Sequence, residues 1–226
     1  MPGHHTVSAA PGLFFLKHLL CPAFLQWLFG WGIFKIEQVA AKEKNALKAG
    51  PFGSSLKKEF YVESGYKIYG QEQVIKDNLK FGNYYITEKK YKELQSCKIK
   101  EGDLLISLVG TYGKVSLVPE NFEEGIINPR LMKISPNKEI IRPDFLKWML
   151  QSNYVLNQMK NFSRGGTMDI INLGIVKGLN IILPPLAVQQ KFASIIQNIE
   201  QQKQIVKKQA AESENLFQAL LQESFK

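Results

Sequence analysis

The sequence runs to 226 residues, 45% of them hydrophobic, which is enough for the core of one compact domain with an appendage and too little for two full domains. A formal net charge of +9, with Lys and Arg recurring from Lys57 to Arg164 rather than massed in a tail, points to an anionic partner: nucleic acid first, an anionic membrane surface second. Cys21 and Cys97 lie far apart with no second Cys or His at short spacing, so no zinc framework is visible; one disulfide is open on paper, but a Lys-rich, cysteine-poor chain reads as a reduced, cytoplasmic protein.

Residues 1–35 stand apart as an apolar leader. Within it residues 13–34, LFFLKHLLCPAFLQWLFGWGIF, approach the roughly 20 residues needed to span a bilayer. Lys17, His18 and Gln26 inside the run, Pro22 near its middle and the lack of a preceding basic cluster argue against a span or a signal peptide. A start-site artefact, or a fragment joined to unrelated leading sequence, explains it as well, and no membrane partner is expected.

From Ile36 onward short apolar runs alternate with Gly, Pro and Asn punctuation, the pattern of a mixed α/β domain. GPFGSSL, Gly50 to Leu56, opens it as a tight turn, and Tyr66 to Gly70 has strand composition. Thr87 is placed to cap a short helix with Glu88 in its first turn. Ile99 to Val118 predicts paired strands around Gly110-Thr111-Tyr112-Gly113, and Gly125 to Ile134 a single strand kinked at Pro129 and sited at an edge or bulge. After Pro143, the spacing of Phe145, Trp148, Met149, Leu156 and Met159 predicts one amphipathic helix, broken at Arg164-Gly165-Gly166-Thr167. Leu179 to Leu183 is the last strand.

After Pro185 the chain is polar, Gln- and Lys-rich and free of Gly and Pro, which predicts one helix to the C-terminus, about 40 residues and about 60 Å long. Phe192, Ile199, Val206 and Leu220 share a seven-residue row, flanked by Ile196, Ala210 and Phe217; Gln202, Lys203 and Gln209 thin the seam at its middle. The pattern fits a helix lying on its own domain as well as one pairing with another helix, and its length favours a partner.

Catalytic signatures fail on inspection. A base methyltransferase needs a glycine-rich cofactor loop and an Asn/Asp-Pro-Pro-aromatic motif. Asn128-Pro129-Arg130 lacks the second proline and the aromatic, and Leu183-Pro184-Pro185-Leu186 lacks the amide. Gly110 to Val115 lacks the glycine spacing of a phosphate loop. Pro143-Asp144 has no Glu-x-Lys to complete a nuclease site and suits a helix start instead. All three histidines, His4, His5 and His18, fall in the leader. No cofactor and no metal are expected.

DNA binding without chemistry asks for Lys and Arg at phosphates and a few polar side chains at base edges. The candidates are Lys57 and Lys58 after the opening turn; Gln71, Lys76 and Lys80, with Gln73 and Asn78, in a polar stretch; Lys89 and Lys90 on the short helix; and Arg164 and Thr167 in the glycine-rich loop. Tyr69, Tyr84 and Tyr112 fit packing better than contact.

Four segments occur in a fixed order: GPFGSSLK (Gly50–Lys57), IKEGDLLISLVGTYGKV (Ile99–Val115), INPRLMKI (Ile127–Ile134) and LNIILPPLAVQQKFASII (Leu179–Ile196). Together they resemble the type I restriction-modification DNA specificity domain. The resemblance covers Ile36 to the C-terminus. It implies a recognition domain over residues 36–184 that grips one half of a split double-stranded DNA target, and a spacer and dimerisation helix over residues 185–226, with Phe192, Ile196, Ile199, Val206, Phe217 and Leu220 on its partner face. It also implies that methylation and restriction belong to separate methyltransferase and motor-nuclease subunits. Full-length relatives carry two such units, so this chain resembles a half-subunit that pairs with itself, or a fragment. Two alternatives stay open: a stand-alone DNA-modifying enzyme with a degenerate site, and a basic protein anchored through residues 13–34.

Overall fold

In a computed structural model the described residues are 30–109, 113–163 and 171–224. The chain divides into two compact units, Met1–Leu186 and Ala187–Lys226. In the first, β1 (Gly32–Lys35) and α1 (Ile36–Val39) are followed by β2 (Leu47–Ala49), β3 (Tyr61–Val62), β4 (Tyr66–Tyr69), α2 (Gln71–Ile75), β5 (Tyr85–Ile86) and α3 (Glu88–Glu93). Next come β6 (Leu104–Ser107), β7 (Val115–Leu117), β8 (Gly125–Ile127), β9 (Leu131–Ile134), α4 (Pro143–Gln151), α5 (Asn153–Ser163), α6 (Leu173–Gly178) and β10 (Asn180–Leu183). The second unit is the body of one helix, α7 (Leu186–Ser224). The expected mixed α/β class and the long C-terminal helix are both present.

Of the two four-stranded sheets, one has the order β2-β9-β6-β7, antiparallel throughout, and the other β3-β5-β4-β8, in which only the β4–β8 pair is parallel; β1 and β10 form a third, two-stranded sheet. Leu104, Leu105 and Ile106 of β6 are each fully buried, so this strand is a continuous apolar run because both its faces are covered. Leu105 and Leu131 of the first sheet join Ile68, Ile86, Ile126 and Ile127 of the second in one core, with Val74 of α2 and Tyr91 of α3 packed into it. Cys97 is part of that core, a free thiol that burial pushes above its ordinary pKa; Cys21 lies outside the described residues.

Four expectations are corrected by packing. The boundary at Ile36 falls too late: Gly32–Lys35 pairs antiparallel with β10, Gly32 opposite Leu183, so the end of the apolar run is a strand whose residues are alternately half-buried and exposed. Among the described residues no helix is long and apolar enough to cross a membrane. The segment from Gly125 to Ile134 is two strands in different sheets, with Asn128-Pro129-Arg130 as the crossover. Pro129 marks the place where ladder pairing stops; β8 is the edge strand of its sheet, as expected, whereas β9 runs in the middle of the other. The helix after Pro143 is two helices. Ser152 is extended, its hydroxyl donates to the Met149 carbonyl at 2.6 Å, and its own carbonyl accepts from Leu156 N at 2.9 Å, ending α4 and opening α5. Finally, the polar stretch at Gln71 starts the helix α2, which the Gln73 side chain helps to close by accepting from Gly70 N at 3.0 Å. Asn172 likewise caps α6, accepting from Ile175 N at 3.0 Å.

Where the sequence pattern was local, the elements match it. Thr87 accepts from Lys90 N at 3.3 Å and caps α3, Pro143 opens α4, and β6 and β7 pair with Leu104 opposite Leu117. In α7 the residues from Gln197 to Ser224 are all exposed, including Ile199, Val206, Phe217 and Leu220 of the expected row, while Phe192 and Ile196 are half-buried.

Inside the first sheet sits a charged network. Lys133 Nζ lies 3.1 Å from Asp103 Oδ2, Ser135 Oγ donates to Asp103 Oδ1 at 2.6 Å, and Lys100 N donates to Asp103 Oδ2 at 2.9 Å. Both ion-pair side chains are nearly sealed, 3% and 2% exposed. Removing one buried partner strands the other charge, at about 3–5 kcal/mol, whereas replacing both with apolar groups of like size is near neutral. Asp103→Ala should therefore lower the urea-unfolding free energy by about that amount, and Asp103→Leu with Lys133→Met should recover most of the loss. A double variant no more stable than the single one would show that the pair is not what holds this strand register.

Candidate nucleic-acid interface

The two-residue strand β3 pairs with β5, Tyr61 opposite Ile86, so the residues before β3 and those after β5 lie at the same end of that ladder. Lys57 and Lys58 precede β3 through a turn at Lys58–Phe60, and Lys89 and Lys90 open α3 directly after β5. Lys90 Nζ sits 4.2 Å from the Phe60 ring centroid, which locks the two lysine pairs together. Lys76 and Lys80 follow α2, with Lys76 Nζ 3.3 Å from the Phe81 ring. Tyr84, half-exposed, meets Tyr61 with ring centroids 5.8 Å apart, and connects this second group to the first across the sheet. Lys57, Lys58, Lys89 and Lys90 thus rim one end of this sheet, and Lys76 and Lys80 lie in the segment that joins β4 to β5 at its other end, each group with an aromatic ring against one of its lysines.

Their charges are not equivalent. Lys90 pairs with Glu93 at 2.9 Å and holds that carboxyl below its ordinary pKa; Lys57 lies 3.7 Å from Glu59, with both side chains more than half exposed. Lys58, Lys76, Lys80 and Lys89 are exposed without a carboxylate within ion-pair distance among the described residues. They supply the net field of the rim. Gln71 is committed elsewhere: its amide donates to Ser107 Oγ at 2.7 Å and to the Val109 carbonyl at 2.6 Å, tying α2 to the end of β6. Tyr69 is buried and donates to the Glu123 carbonyl at 2.6 Å, so its hydroxyl is a packing group. Arg164, Thr167 and Tyr112 lie outside the described residues. Phe52 and Arg130 are also exposed, although the sequence reads GPFGSSL simply as a turn and Arg130 as part of one kinked strand. Among the described residues no three His, Cys, Asp or Glu side chains gather as a metal-binding group.

Residues 30–215 match the type I restriction modification DNA specificity domain. The chain belongs to that family. Over 130 residues it is 30% identical to the type I restriction enzyme HindI specificity subunit of Haemophilus influenzae, and over 133 residues 26% identical to the EcoBI specificity subunit of Escherichia coli. Those stretches are 56% and 57% of this chain but only 28% of each relative, so the match spans little more than a quarter of their length. The fold is similar to that of an HsdS subunit from Thermoanaerobacter tengcongensis, with a TM-score of 0.57 at 17% identity over 82% of this chain and 46% of that one. A chain from a structural study of type I R-M assembly and conformational transition gives 0.62 at 18%, covering 92% and 50%.

Within this specificity domain the basic rim is stiffened from below. Lys67 of β4 is 1% exposed; its ammonium bonds to Glu123 and donates to the Lys80 carbonyl at 3.3 Å, anchoring the turn that carries Lys80. Tyr85 donates to the other Glu123 oxygen at 3.2 Å. Lys80, Tyr69, Leu79, Phe122 and Glu123 line a shallow cleft of about 150 Å³ over this network. The Lys67 bond holds the Glu123 carboxyl below its ordinary 4.5. A depressed carboxylate stabilises the fold above its unfolded pKa and loses that contribution as pH falls through the lower folded value. The stability gap between the native protein and Glu123→Gln should therefore be complete at neutral pH and close as the medium is acidified below 4.5. A gap independent of pH in denaturation curves would mean that the charge of Glu123 is not what holds Lys67.

Proposed function

We propose that the chain is the sequence-reading component of a type I restriction-modification assembly in the cytoplasm. The single observation that carries this reading is the family match, which takes in the two-sheet domain and most of α7 together. In this reading residues 36–184, with β1 added, grip one half of a split duplex target. Residues 185–226 set the distance to the other half and dock the methyltransferase and motor-nuclease subunits, which perform the chemistry. The chain itself is non-catalytic. Its relatives are specificity subunits of type I restriction enzymes, which supports that division of labour.

The electrostatics accord with it. A net charge of +9 and lysine groups packed against aromatic rings suit a phosphate backbone, whose affinity rises with each counterion released. On α7, Ile195, Ile199, Ile205, Val206, Leu216, Phe217 and Leu220 are exposed on a helix of 39 residues. Apolar residues recurring along an exposed helix are what a second helix covers. Paired antiparallel with a second copy, two such helices would hold two recognition domains on one duplex, and two-fold symmetry would make the target a gapped palindrome. Neither the family nor the similar folds support the alternatives of a stand-alone enzyme or a membrane-anchored protein.

The test is to combine the full chain with the modification subunit of its own system and sequence the methylated sites in a random duplex library. A bipartite gapped motif is expected, palindromic if the chain pairs with itself. Methylation without a preferred motif would overturn the reading. The rim makes a second prediction. Lys58→Ala with Lys89→Ala should weaken binding to all sequences alike and reduce the slope of log affinity against log salt by about 2, while Lys90→Ala, whose charge is already paired, changes the slope much less. Equal slopes for all three proteins would remove the rim from the interface.

A further inference from the structure

The crossover between the sheets and the opening turn that rests on it each present one side chain that the lysine groups do not use. Asn128 is its hub. Asn128 N donates to the Tyr69 carbonyl at 2.8 Å, its side-chain oxygen accepts from Arg130 N at 2.9 Å, and its carbonyl accepts from Leu131 N at 3.1 Å. The Arg130 carbonyl in turn accepts from Leu108 N at 3.0 Å, so the Arg130 backbone is pinned on both sides while its side chain is exposed. No carboxylate among the described residues lies within ion-pair distance of it.

The opening turn rests directly on this hub. Gly50 N donates to the Leu131 carbonyl at 2.9 Å, and a Cβ on Gly50 would come within 1.9 Å of the Asn128 carbonyl oxygen, so only glycine lets the two backbones lie this close. Pro51 is buried, and two residues past Gly50 the Phe52 ring is 88% exposed. The turn is held rather than loose: Ser55 N closes it onto the Phe52 carbonyl at 2.8 Å. A Cβ at Gly53 would meet nothing within 4 Å, so the outer face of the turn is open. With consecutive Cα atoms about 3.8 Å apart, the Cα atoms of Phe52 and Arg130 are within about 16 Å of each other. That span is on the order of five base steps at roughly 3.4 Å each.

We infer that Phe52 and Arg130 are the base-contacting pair of this domain, the ring entering the stack at a base step and the guanidinium reading a guanine edge. The inference rests on the proposed DNA-specificity function and adds the residues that touch bases. An almost fully exposed ring gives the fold little, and a protein-binding core would gather several large apolar side chains around it. Along the chain Phe52 is followed by Gly53, Ser54 and Ser55 and, past the buried Leu56, by the exposed Lys57 and Lys58. An exposed ring on a segment of small residues and cations fits stacked bases between phosphates. A guanidinium free of carboxylate partners on a fixed backbone is built for bidentate donation to guanine.

The experiment takes the full chain with its modification subunit, first defining the motif with the native protein and then measuring affinity for that duplex. Phe52→Ala is expected to bind about 10-fold more weakly with unchanged thermal midpoint and unchanged salt slope, and Phe52→Trp to restore binding. Arg130→Ala is expected to bind about 10-fold more weakly and to make one position of the methylated motif degenerate, and Arg130→Lys, lacking the fork, not to restore it. Variants that bind and read as the native protein does would overturn the inference and leave the proposed function standing. So would an Arg130→Ala that lowers only the salt slope, which is the behaviour of a phosphate contact, or a Phe52→Ala that loses the modification subunit while holding DNA. A native protein that reads no motif would sink both.

Discussion

Asn128-Pro129-Arg130 carries the chain from one four-stranded sheet to the other, and the arrangement of the domain depends on that crossing being tight. Side-chain alternation in a strand repeats every two residues, so a loose crossing would let β9 slip and turn its core face outward. Asn128 prevents the slip by bonding backward to Tyr69 and forward to Arg130 and Leu131 within four residues. Two residues into β9 from Leu131, Lys133 is opposite Leu105 and its ammonium meets Asp103. A register shift would leave that charge buried without a partner, which is a much larger penalty than losing one apolar contact. The crossover and the buried pair therefore specify the same register by different means, one through hydrogen-bond geometry and one through charge.

That arrangement also explains why basic composition alone did not identify an interface. Lys67 and Lys133 are almost sealed from solvent and serve the interior, whereas Lys58, Lys76, Lys80 and Lys89 are exposed. Tyr66-Lys67-Ile68-Tyr69 reads as a strand, but that reading does not say that the face carrying Lys67 is sealed. The partner that buries Lys67 is Glu123, 56 residues away. The structural role of Gln71 is hidden for the same reason: its partners, Ser107 and Val109, lie across the fold.

The features legible in the sequence were those decided by near neighbours. Thr87 with its first-turn Glu88, Pro143 at a helix start, the Gly-flanked pair β6 and β7, and a Gly- and Pro-free run after Pro185 each carry their own signal within a few residues. The features that were not legible required tertiary partners. The end of the apolar leader is a strand only because β10, some 150 residues later in the chain, is there to pair with it. A continuous stretch from Gly125 to Ile134 cannot announce that its halves join different sheets. Ser152 breaks an otherwise helical pattern with a hydroxyl that competes for the backbone, a choice that apolar periodicity does not record.

The same division applies to the helix. Its length was readable because nothing in it stops helix formation, but its stability as a bare rod is a different matter. Most helical stability in proteins comes from packing an apolar face, and α7 exposes its residues from Gln197 onward, with local support limited to pairs such as Glu200 with Lys203 and Lys208 with Glu212. Such pairs contribute only about 0.2–0.5 kcal/mol each. Ile199, Val206, Phe217 and Leu220 bring far more apolar area than that to any surface able to cover them. The balance of these terms makes a lone helix of this composition the weaker state. Covering that face would stabilise the helix and fix its straightness together, so the length over which α7 holds as a rod would be set by what covers it rather than by the chain alone.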